Sequence, residues 1–193
     1  WMPAWMKRAL PHFDVEGEGL TREIEYASWP EDMPDAEAAS EGLILSPNHR
    51  VSDLRIRTGE ALILDPKDPV ARPLASVLAG RGQVSRGTLK VQGLIQPDRA
   101  GTLRRRSALV TPDTIRDAVN DMPSIMVLSG IGPALTLRQA EDTRDTLAAW
   151  ATEHQARADR VPLLIIIAEQ RELGRVLPRM FTPVQPAAHA PEL

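Results

Sequence analysis

The sequence predicts an α/β domain whose central sheet is largely parallel and flanked by helices. Residues 124–128 and 161–168 are apolar with almost no interruption, as expected for strands covered on both faces of such a sheet. Residues 59–80 join a short apolar run, a polar loop and a helical pattern. Strands that alternate in this way with helices are typical of the α/β class.

The length and composition predict one globular domain. The chain has 193 residues, of which 42% are hydrophobic and 25% charged, an ordinary balance for a soluble protein. We expect an irregular leader at residues 1–19, a single domain at 20–177 and a Pro/Ala-rich tail at 178–193.

The charge and the amino-acid usage exclude several classes of function. A formal net charge of −3 gives no electrostatic case for binding nucleic acid. No apolar run approaches the roughly 20 residues that span a bilayer, so direct membrane insertion is not expected. Cysteine is absent, which excludes a thiolate nucleophile and a thiolate metal site. No metal and no cofactor is predicted.

The N-terminal part predicts an antiparallel β layer. Residues 20–26 alternate between polar and apolar side chains, which favours a half-exposed strand. Residues 30–40 have no usable period and predict a loop. Short strands are expected at 43–45 and 51–57.

The organising stretch follows this layer. Residues 61–64 predict a buried strand that ends at an Asp-Pro pair. A helix is expected after the loop, because Leu74, Val77 and Leu78 recur at helical spacing and Pro73 is tolerated in a first turn. Gly80 is a natural helix end.

The second half predicts further strands and helices in alternation. After a turn cluster at 81–87 we expect an antiparallel pair within 88–95, then a strand at 103–110. One short helix is expected within 111–123, with Thr111 as its N-cap. The longest helix is predicted to begin after Thr136, which forms a capping box with Gln139.

The order of strand, loop, helix and hairpin in residues 59–93 resembles the first half of an ATP-binding cassette (ABC) ATPase domain. Gly59-Glu60 before the strand, Leu74 to Gly80 after the loop and the hairpin-like residues 87–93 carry the resemblance. It implies a P-loop NTPase-like sheet flanked by helices, with an N-terminal antiparallel β layer. Residues 111–123 are too few for the helical subdomain of that family, so the subdomain is expected to be reduced.

The phosphate-binding chemistry of the family is missing at the matching positions. Its pattern G-x-x-G-x-G-K-[ST] uses glycines whose N–H groups cradle phosphate, a lysine for the β- and γ-phosphates and a hydroxyl for Mg²⁺. The corresponding residues here include two aspartates, a valine in place of a glycine and an alanine in place of the lysine. The degenerate loop consists of Asp65, Pro66, Lys67, Asp68, Pro69, Val70, Ala71, Arg72 and Pro73.

Three further positions depart from the family. Ser129 and Gly130 stand where the resemblance implies the metal-binding aspartate and the catalytic glutamate. Glu169 takes the position of the switch histidine, and the LSGGQ-type signature is missing. Because neither Ser129 nor Gly130 can hold Mg²⁺ through water or polarise a nucleophile, the resemblance predicts no catalytic residue.

These residues predict a pseudo-ATPase module that acts through protein–protein contacts. The resemblance implies an accessory or regulatory subunit of a membrane-transporter-like complex, placed in the cytoplasm at the inner face of the membrane. The alternative is a nucleotide-binding subunit of an ABC transporter. It would bind ATP unconventionally through Lys67 and Arg72, or serve as the silent half of a heterodimer.

Two structural expectations follow for this site. The loop at 65–73 is expected to be rigid and to hold no phosphate, with an ion pair from Lys67 or Arg72 to Asp68. Apolar residues near the reduced subdomain predict an exposed patch that contacts a protein partner, either a membrane protein or a second copy. The patch consists of Ile131, Pro133, Leu135, Ile115 and Met122.

Overall fold

The structure is a computed structural model that describes residues 36–38, 43–45, 49–51, 54–96, 98–158 and 160–186. The chain divides into a unit of residues 1–33 and a unit of residues 34–193, and every described residue belongs to the second unit. The strand predicted at 20–26 lies outside the described residues.

The elements of the second unit alternate between strands and helices over most of their length. In chain order they are β1 (Ala36–Ala38), β2 (Leu43–Leu45), β3 (His49–Val51), β4 (Arg55–Ile56), β5 (Glu60–Leu64), α1 (Ala71–Leu78), β6 (Val84–Arg86), β7 (Leu89–Val91), β8 (Leu94–Gln96), α2 (Ala100–Arg106), β9 (Ser107–Val110), α3 (Ile115–Ala118), a 3₁₀ turn (Val119–Asp121), β10 (Ile125–Leu128), α4 (Leu137–Ala158), β11 (Leu163–Ile167), α5 (Gln170–Val176) and β12 (Thr182–Val184).

A parallel sheet with the order β12-β5-β11-β10-β9 forms the centre of this unit. Each pair of neighbours runs parallel, with Ile63 beside Ile166 and Val127 beside Ile165 and Leu109. The predicted α/β class is therefore confirmed. The strand β12, which pairs with β5, lies in the segment expected to be an irregular tail. A three-residue edge strand containing Pro183 is too short to show a β period in the sequence.

The antiparallel layer is present and forms two small sheets. One has the order β4-β1-β7-β8 and the other β3-β2-β6. Two of their strands, β1 and β6, lie in segments expected to be a loop and a turn cluster. Ala-Glu-Ala in β1 has low β-propensity, so pairing with β4 and β7 decides its conformation rather than the local sequence.

Side chains from the two faces of the parallel sheet enter two separate apolar clusters. Along β5, Leu62 and Leu64 pack with α1 and the antiparallel layer, whereas Ala61 and Ile63 pack beneath α4 and α5. This division follows from the two-residue period of a strand. It also explains why β10 and β11 are apolar at every position.

Helix α2 replaces the first half of the strand predicted at 103–110. Leu103 is fully buried while Arg104 and Arg105 are both exposed. Two neighbouring exposed residues fit the outer face of a helix, whereas a strand would place them on opposite faces. Arginine and leucine are also good helix formers. The strand begins only at Ser107, whose hydroxyl donates to the carbonyls of Ala79 and Arg104 at 2.8 and 3.2 Å.

The two helices between β9 and β11 match their predictions in position. Thr136 and Gln139 cap α4 reciprocally, with Thr136 N–H to Gln139 Oε1 at 3.0 Å and Gln139 N–H to Thr136 Oγ1 at 3.2 Å. The helix expected within 111–123 is α3, but its N-cap is Thr114. Thr111 supports it through its carbonyl, which accepts the N–H groups of Thr114 and Ile115.

Among the described helices, none is long and apolar enough to cross a membrane.

Candidate functional site

The loops at the carboxyl ends of the parallel strands form the candidate site. Residues 65–70 follow β5, 111–114 follow β9, 129–136 follow β10, and 168–169 follow β11. Open α/β sheets bind their ligands at this edge. The structure brings the predicted positions Lys67, Ser129, Gly130 and Glu169 to this one edge.

The loop after β5 uses its own acceptors for its backbone N–H groups. Lys67 N–H donates to Asp65 Oδ1 at 2.9 Å, and Asp68 N–H donates to the Asp65 carbonyl at 3.0 Å. Val70 N–H donates to Asp68 Oδ1 at 2.9 Å, and Ala71 N–H donates to the Asp68 carbonyl at 3.1 Å. Each aspartate therefore closes one turn through its side chain and its backbone.

No N–H group between residues 66 and 71 is left for an external anion. Pro66 and Pro69 have no N–H, and the other four N–H groups donate inside the loop. A phosphate-binding loop needs the opposite arrangement, with consecutive N–H groups pointing at the ligand. The two prolines remove two donors, and the aspartate acceptors satisfy the remaining four.

A sequence signal for these turns exists in the Asp-Pro pairs. Aspartate side chains commonly accept the N–H two residues ahead, and this spacing joins Asp65 to Lys67 and Asp68 to Val70. From the sequence, these aspartates were noted only as departures from the phosphate-binding pattern. Their role as N–H acceptors follows from their position two residues before an available donor.

Lys67 forms an ion pair with Glu169 across two neighbouring strand ends. Its Nζ lies 3.3 Å from Glu169 Oε1, with 76% of the Lys67 side chain and 28% of the Glu169 side chain exposed. The expected pair with Asp68 is replaced by this one, because the Asp68 carboxylate accepts Val70 N–H. Arg72 is exposed in the first turn of α1.

This ion pair continues into a series of charged contacts along α5. Glu169 Oε2 also lies 2.9 Å from Arg171 Nε. The next turn repeats the pattern, with the buried carboxylate of Glu172 at 2.8 Å from Arg175 Nη1. Opposite charges three residues apart, as at Glu172 and Arg175, stabilise a helix slightly.

Arg175 links this series to the loop after β10. Its guanidinium donates to the carbonyls of Gly132, at 3.5 Å, and Leu135. The loops after β5, β10 and β11 are therefore connected by side chains of opposite charge and by carbonyl acceptors.

The loop after β10 provides no carboxylate at its first two positions. Ser129 N–H donates to the Val110 carbonyl at 2.9 Å and thereby extends the pairing of β10 with β9. In the described part of the chain, no group of three or more His, Asp or Glu side chains has the arrangement of a metal site.

The predicted apolar contact patch is wrong. Ile115, Ile131 and Leu135 are buried, at 1%, 8% and 9% exposure, and belong to the core beneath α4. The side chains of Ile131 and Leu135 pack in this cluster, and the Arg175 guanidinium donates to the carbonyls of Gly132 and Leu135 in the same loop. Pro133 is exposed and Met122 is half-buried.

The opposite edge of the sheet carries polar contacts between buried groups. His154 Nδ1 lies 3.0 Å from the Arg160 carbonyl, so the ring donates from this nitrogen. Burial lowers the pKa of His154, and the hydrogen bond to Arg160 opposes this effect. Gln92 and Ser124 bond to each other twice and join the β7–β8 hairpin to the start of β10.

The fold is similar to that of solved structures of ABC proteins. One similar solved structure is CbiO1 from Clostridium perfringens, part of the ABC transporter complex CbiONQ. It matches with 10% identity and a TM-score of 0.50, covering 72% of this chain and 80% of that chain.

A second similar structure is a bacterial Atm1-family ABC exporter with ATP bound. It matches with 10% identity and a TM-score of 0.54, covering 82% of this chain and 39% of the exporter chain. No protein-family model matches the sequence, and no curated protein matches it either. At this identity the likeness concerns the fold, and the predicted fold class is confirmed.

Proposed function

We propose that this chain is a non-catalytic module with an ABC-ATPase-like fold, which acts through protein contacts. The observation that carries the proposal is the loop after β5. Its four N–H groups between residues 66 and 71 are satisfied by Asp65 and Asp68. In this proposal the loop is the degenerate equivalent of a phosphate-binding loop.

The energetic cost of reopening this loop supports the proposal. A net intramolecular hydrogen bond contributes about 0.5–1.5 kcal/mol, so turning all four N–H groups toward a phosphate costs about 2–6 kcal/mol. The carboxylates of Asp65 and Asp68 would also stand beside the phosphate charge. Micromolar affinity corresponds to only about −8 kcal/mol, so this cost removes much of it.

The side chains around the loop offer no compensation. Ala71 is the first residue of α1 and has no ammonium group. Lys67, the lysine nearest to this position in sequence, pairs with Glu169. Phosphoryl transfer depends on positioning and on neutralising charge, and Ser129 and Gly130 supply no metal-binding carboxylate. These residues favour a pseudo-ATPase.

The alternative function, unconventional ATP binding through Lys67 and Arg72, is less favoured. It requires Lys67 to exchange Glu169 for a phosphate while the loop donors remain engaged. The silent half of a heterodimer is also less favoured, because the segment between β9 and β10 contains only α3 and a 3₁₀ turn. A silent half normally keeps the signature helix.

A role in a transporter-like complex at the inner face of the membrane is part of this proposal. Its support is the fold shared with CbiO1, which is part of an ABC transporter complex. The chain would then be an accessory or regulatory subunit whose partner is a membrane protein.

The proposal predicts no ATP or GTP hydrolysis above background with Mg²⁺ present. Phosphate release by the purified chain should equal that of a heat-denatured control. A turnover that disappears in the Lys67→Ala or Arg72→Ala variant would contradict the proposal and support unconventional nucleotide use. The Arg105→Ala variant is the control, because Arg105 is an exposed arginine on α2, away from this loop.

A further inference from the structure

A groove runs between α4 and the segment formed by α3 and the 3₁₀ turn. It has a volume of about 570 Å³. Its apolar floor includes Val119, Met122, Ala149 and the edge of Trp150. The Trp150 ring is fixed in place, because its Nε1 donates to the Pro123 carbonyl at 2.8 Å.

The rim of the groove carries both signs of charge, with Arg116 and Arg157 positive and Asp142, Asp145 and Glu153 negative. Arg116 Nη2 lies 3.5 Å from Asp142 Oδ2, and Arg157 pairs with Glu153 one helical turn away. Asp142 and Arg157 stand toward opposite ends of α4. Fifteen residues separate them, which corresponds to about 22 Å along a helix.

This arrangement is complementary to itself under a two-fold rotation. The midpoint between positions 142 and 157 falls between Ala149 and Trp150. If two α4 helices pair antiparallel about this midpoint, Arg157 of each copy approaches Asp142 of the other. Glu153 then lies opposite Thr146, whose hydroxyl is a hydrogen-bond donor, rather than opposite another carboxylate.

The residue at the midpoint also fits such an arrangement. Ala149 is exposed and lies on the groove, and a side chain of one methyl group lets two helices approach closely. A partner protein whose contact surface carries only one sign of charge would be repelled by the like charges on part of the rim. A second copy presents the opposite sign at each end, as isologous contacts do.

We propose that this groove is the contact face between two copies of the chain, with α4 of one copy antiparallel to α4 of the other. Forming the contact brings Arg157 of each copy to Asp142 of the other, and Arg157 gives up its pair with Glu153 within the copy. The pairs within each copy are largely exposed, and such pairs contribute little to stability. The gain comes from covering the apolar floor.

This inference deepens the contact role proposed above. It predicts a dimer whose formation is independent of nucleotide. If the chain binds no nucleotide and stays monomeric, the dimer is refuted and the non-catalytic role stands. If the chain forms the dimer and hydrolyses ATP, the non-catalytic role is refuted and the dimer stands.

Analytical ultracentrifugation between about 1 and 200 µM tests for the dimer, because interfaces of modest area associate weakly. The weight-average mass should rise from 21.2 kDa toward twice this value. The Ala149→Glu variant should remain a monomer, whereas Arg105→Glu on α2 should behave as the unchanged chain. A chain that is monomeric over the whole range, or a dimer unaffected by Ala149→Glu, would overturn the proposal.

A charge exchange tests the proposed register. Asp142→Arg and Arg157→Asp should each weaken the dimer at least tenfold in Kd, since each brings like charges together. The double variant should recover most of the affinity, because the pairs between copies return with exchanged signs. A double variant as weak as the single ones would refute the antiparallel register. Circular dichroism checks that each variant is folded.

Discussion

Gly80 ends α1 at a point where another part of the chain approaches its backbone closely. Its φ is +71°, in the left-handed region. A Cβ at this position would lie 2.3 Å from the Ala100 carbonyl oxygen, 2.7 Å from Arg104 N and 2.9 Å from Leu103 Cβ. Two of these atoms are backbone atoms of α2, so they cannot move without displacing the helix.

The Gly80→Ala variant should therefore pay for both backbone strain and overlap. A left-handed conformation costs an L-residue about 1–2 kcal/mol, and overpacking costs about 1–3 kcal/mol. The sum is about 2–5 kcal/mol. For a domain of this size, 1 kcal/mol corresponds to roughly 2–4 °C in Tm, so Tm should fall by about 4–20 °C.

Gly59→Ala provides a matched control. The φ of Gly59 is +84°, yet a Cβ there meets no atom within 4 Å, so the variant should lose only about 1–2 kcal/mol. Denaturant unfolding followed by circular dichroism gives both free energies. If the two variants lose the same free energy, the close packing of α2 against Gly80 is refuted.

Two further predictions concern the candidate site and the opposite sheet edge. Asp68→Ala should lower the free energy of unfolding by about 0.5–1.5 kcal/mol, because Val70 N–H loses its acceptor; Asp68→Asn keeps an acceptor oxygen, and an equal loss in both variants would show that this bond contributes nothing. Because the pKa of His154 is lowered in the folded chain, the unfolded chain takes up its proton first as the pH falls through the ordinary value of about 6.5. Stability should therefore be fully present above that pH and decrease below it, and a His154→Gln variant with an equally steep decrease between pH 7 and 5 would contradict this assignment.

Local signals predicted the elements whose residues interact with near neighbours. The capping box of Thr136 and Gln139 fixed the start of α4, and the continuous apolar run at 163–167 identified β11 as a strand covered on both faces. The strand–loop–helix stretch around Pro73 needed only helical spacing and a terminal glycine. In each case the residues that decide the structure lie within a few positions of one another.

Distant pairing decided the elements that were missed. The strand β12 pairs with β5, and Thr182 N–H donates to the Gly59 carbonyl. This contact joins residues that are far apart in the sequence, so local sequence patterns do not predict it. The N-terminal half of the strand predicted at 103–110 is helix α2. Its helical period was missed because Leu103 is its one buried residue and three arginines follow it.

The contacts around the candidate site were not predicted, because they join residues that are far apart in the sequence. Lys67, Ser129, Gly130 and Glu169 were singled out in the sequence, and they lie in loops that follow parallel strands at one edge of the sheet. The burial of Ile131 and Leu135 was missed because these residues pack against apolar side chains from elements that are distant in the sequence. The Lys67–Glu169 pair likewise joins residues that only the neighbouring strands β5 and β11 bring together.

Calorimetric titration with Mg-ATP tests most directly whether the loop after β5 is closed to phosphate. With its N–H groups donating to Asp65 and Asp68, the chain should give no saturable heat of binding up to about 1 mM nucleotide. Any binding would then have a Kd above about 1 mM, which corresponds to a binding free energy weaker than roughly −4 kcal/mol. An intact ABC ATPase domain, titrated in the same buffer, confirms that the assay detects binding. Saturable Mg-dependent binding that is lost in the Lys67→Ala or Arg72→Ala variant would contradict the account.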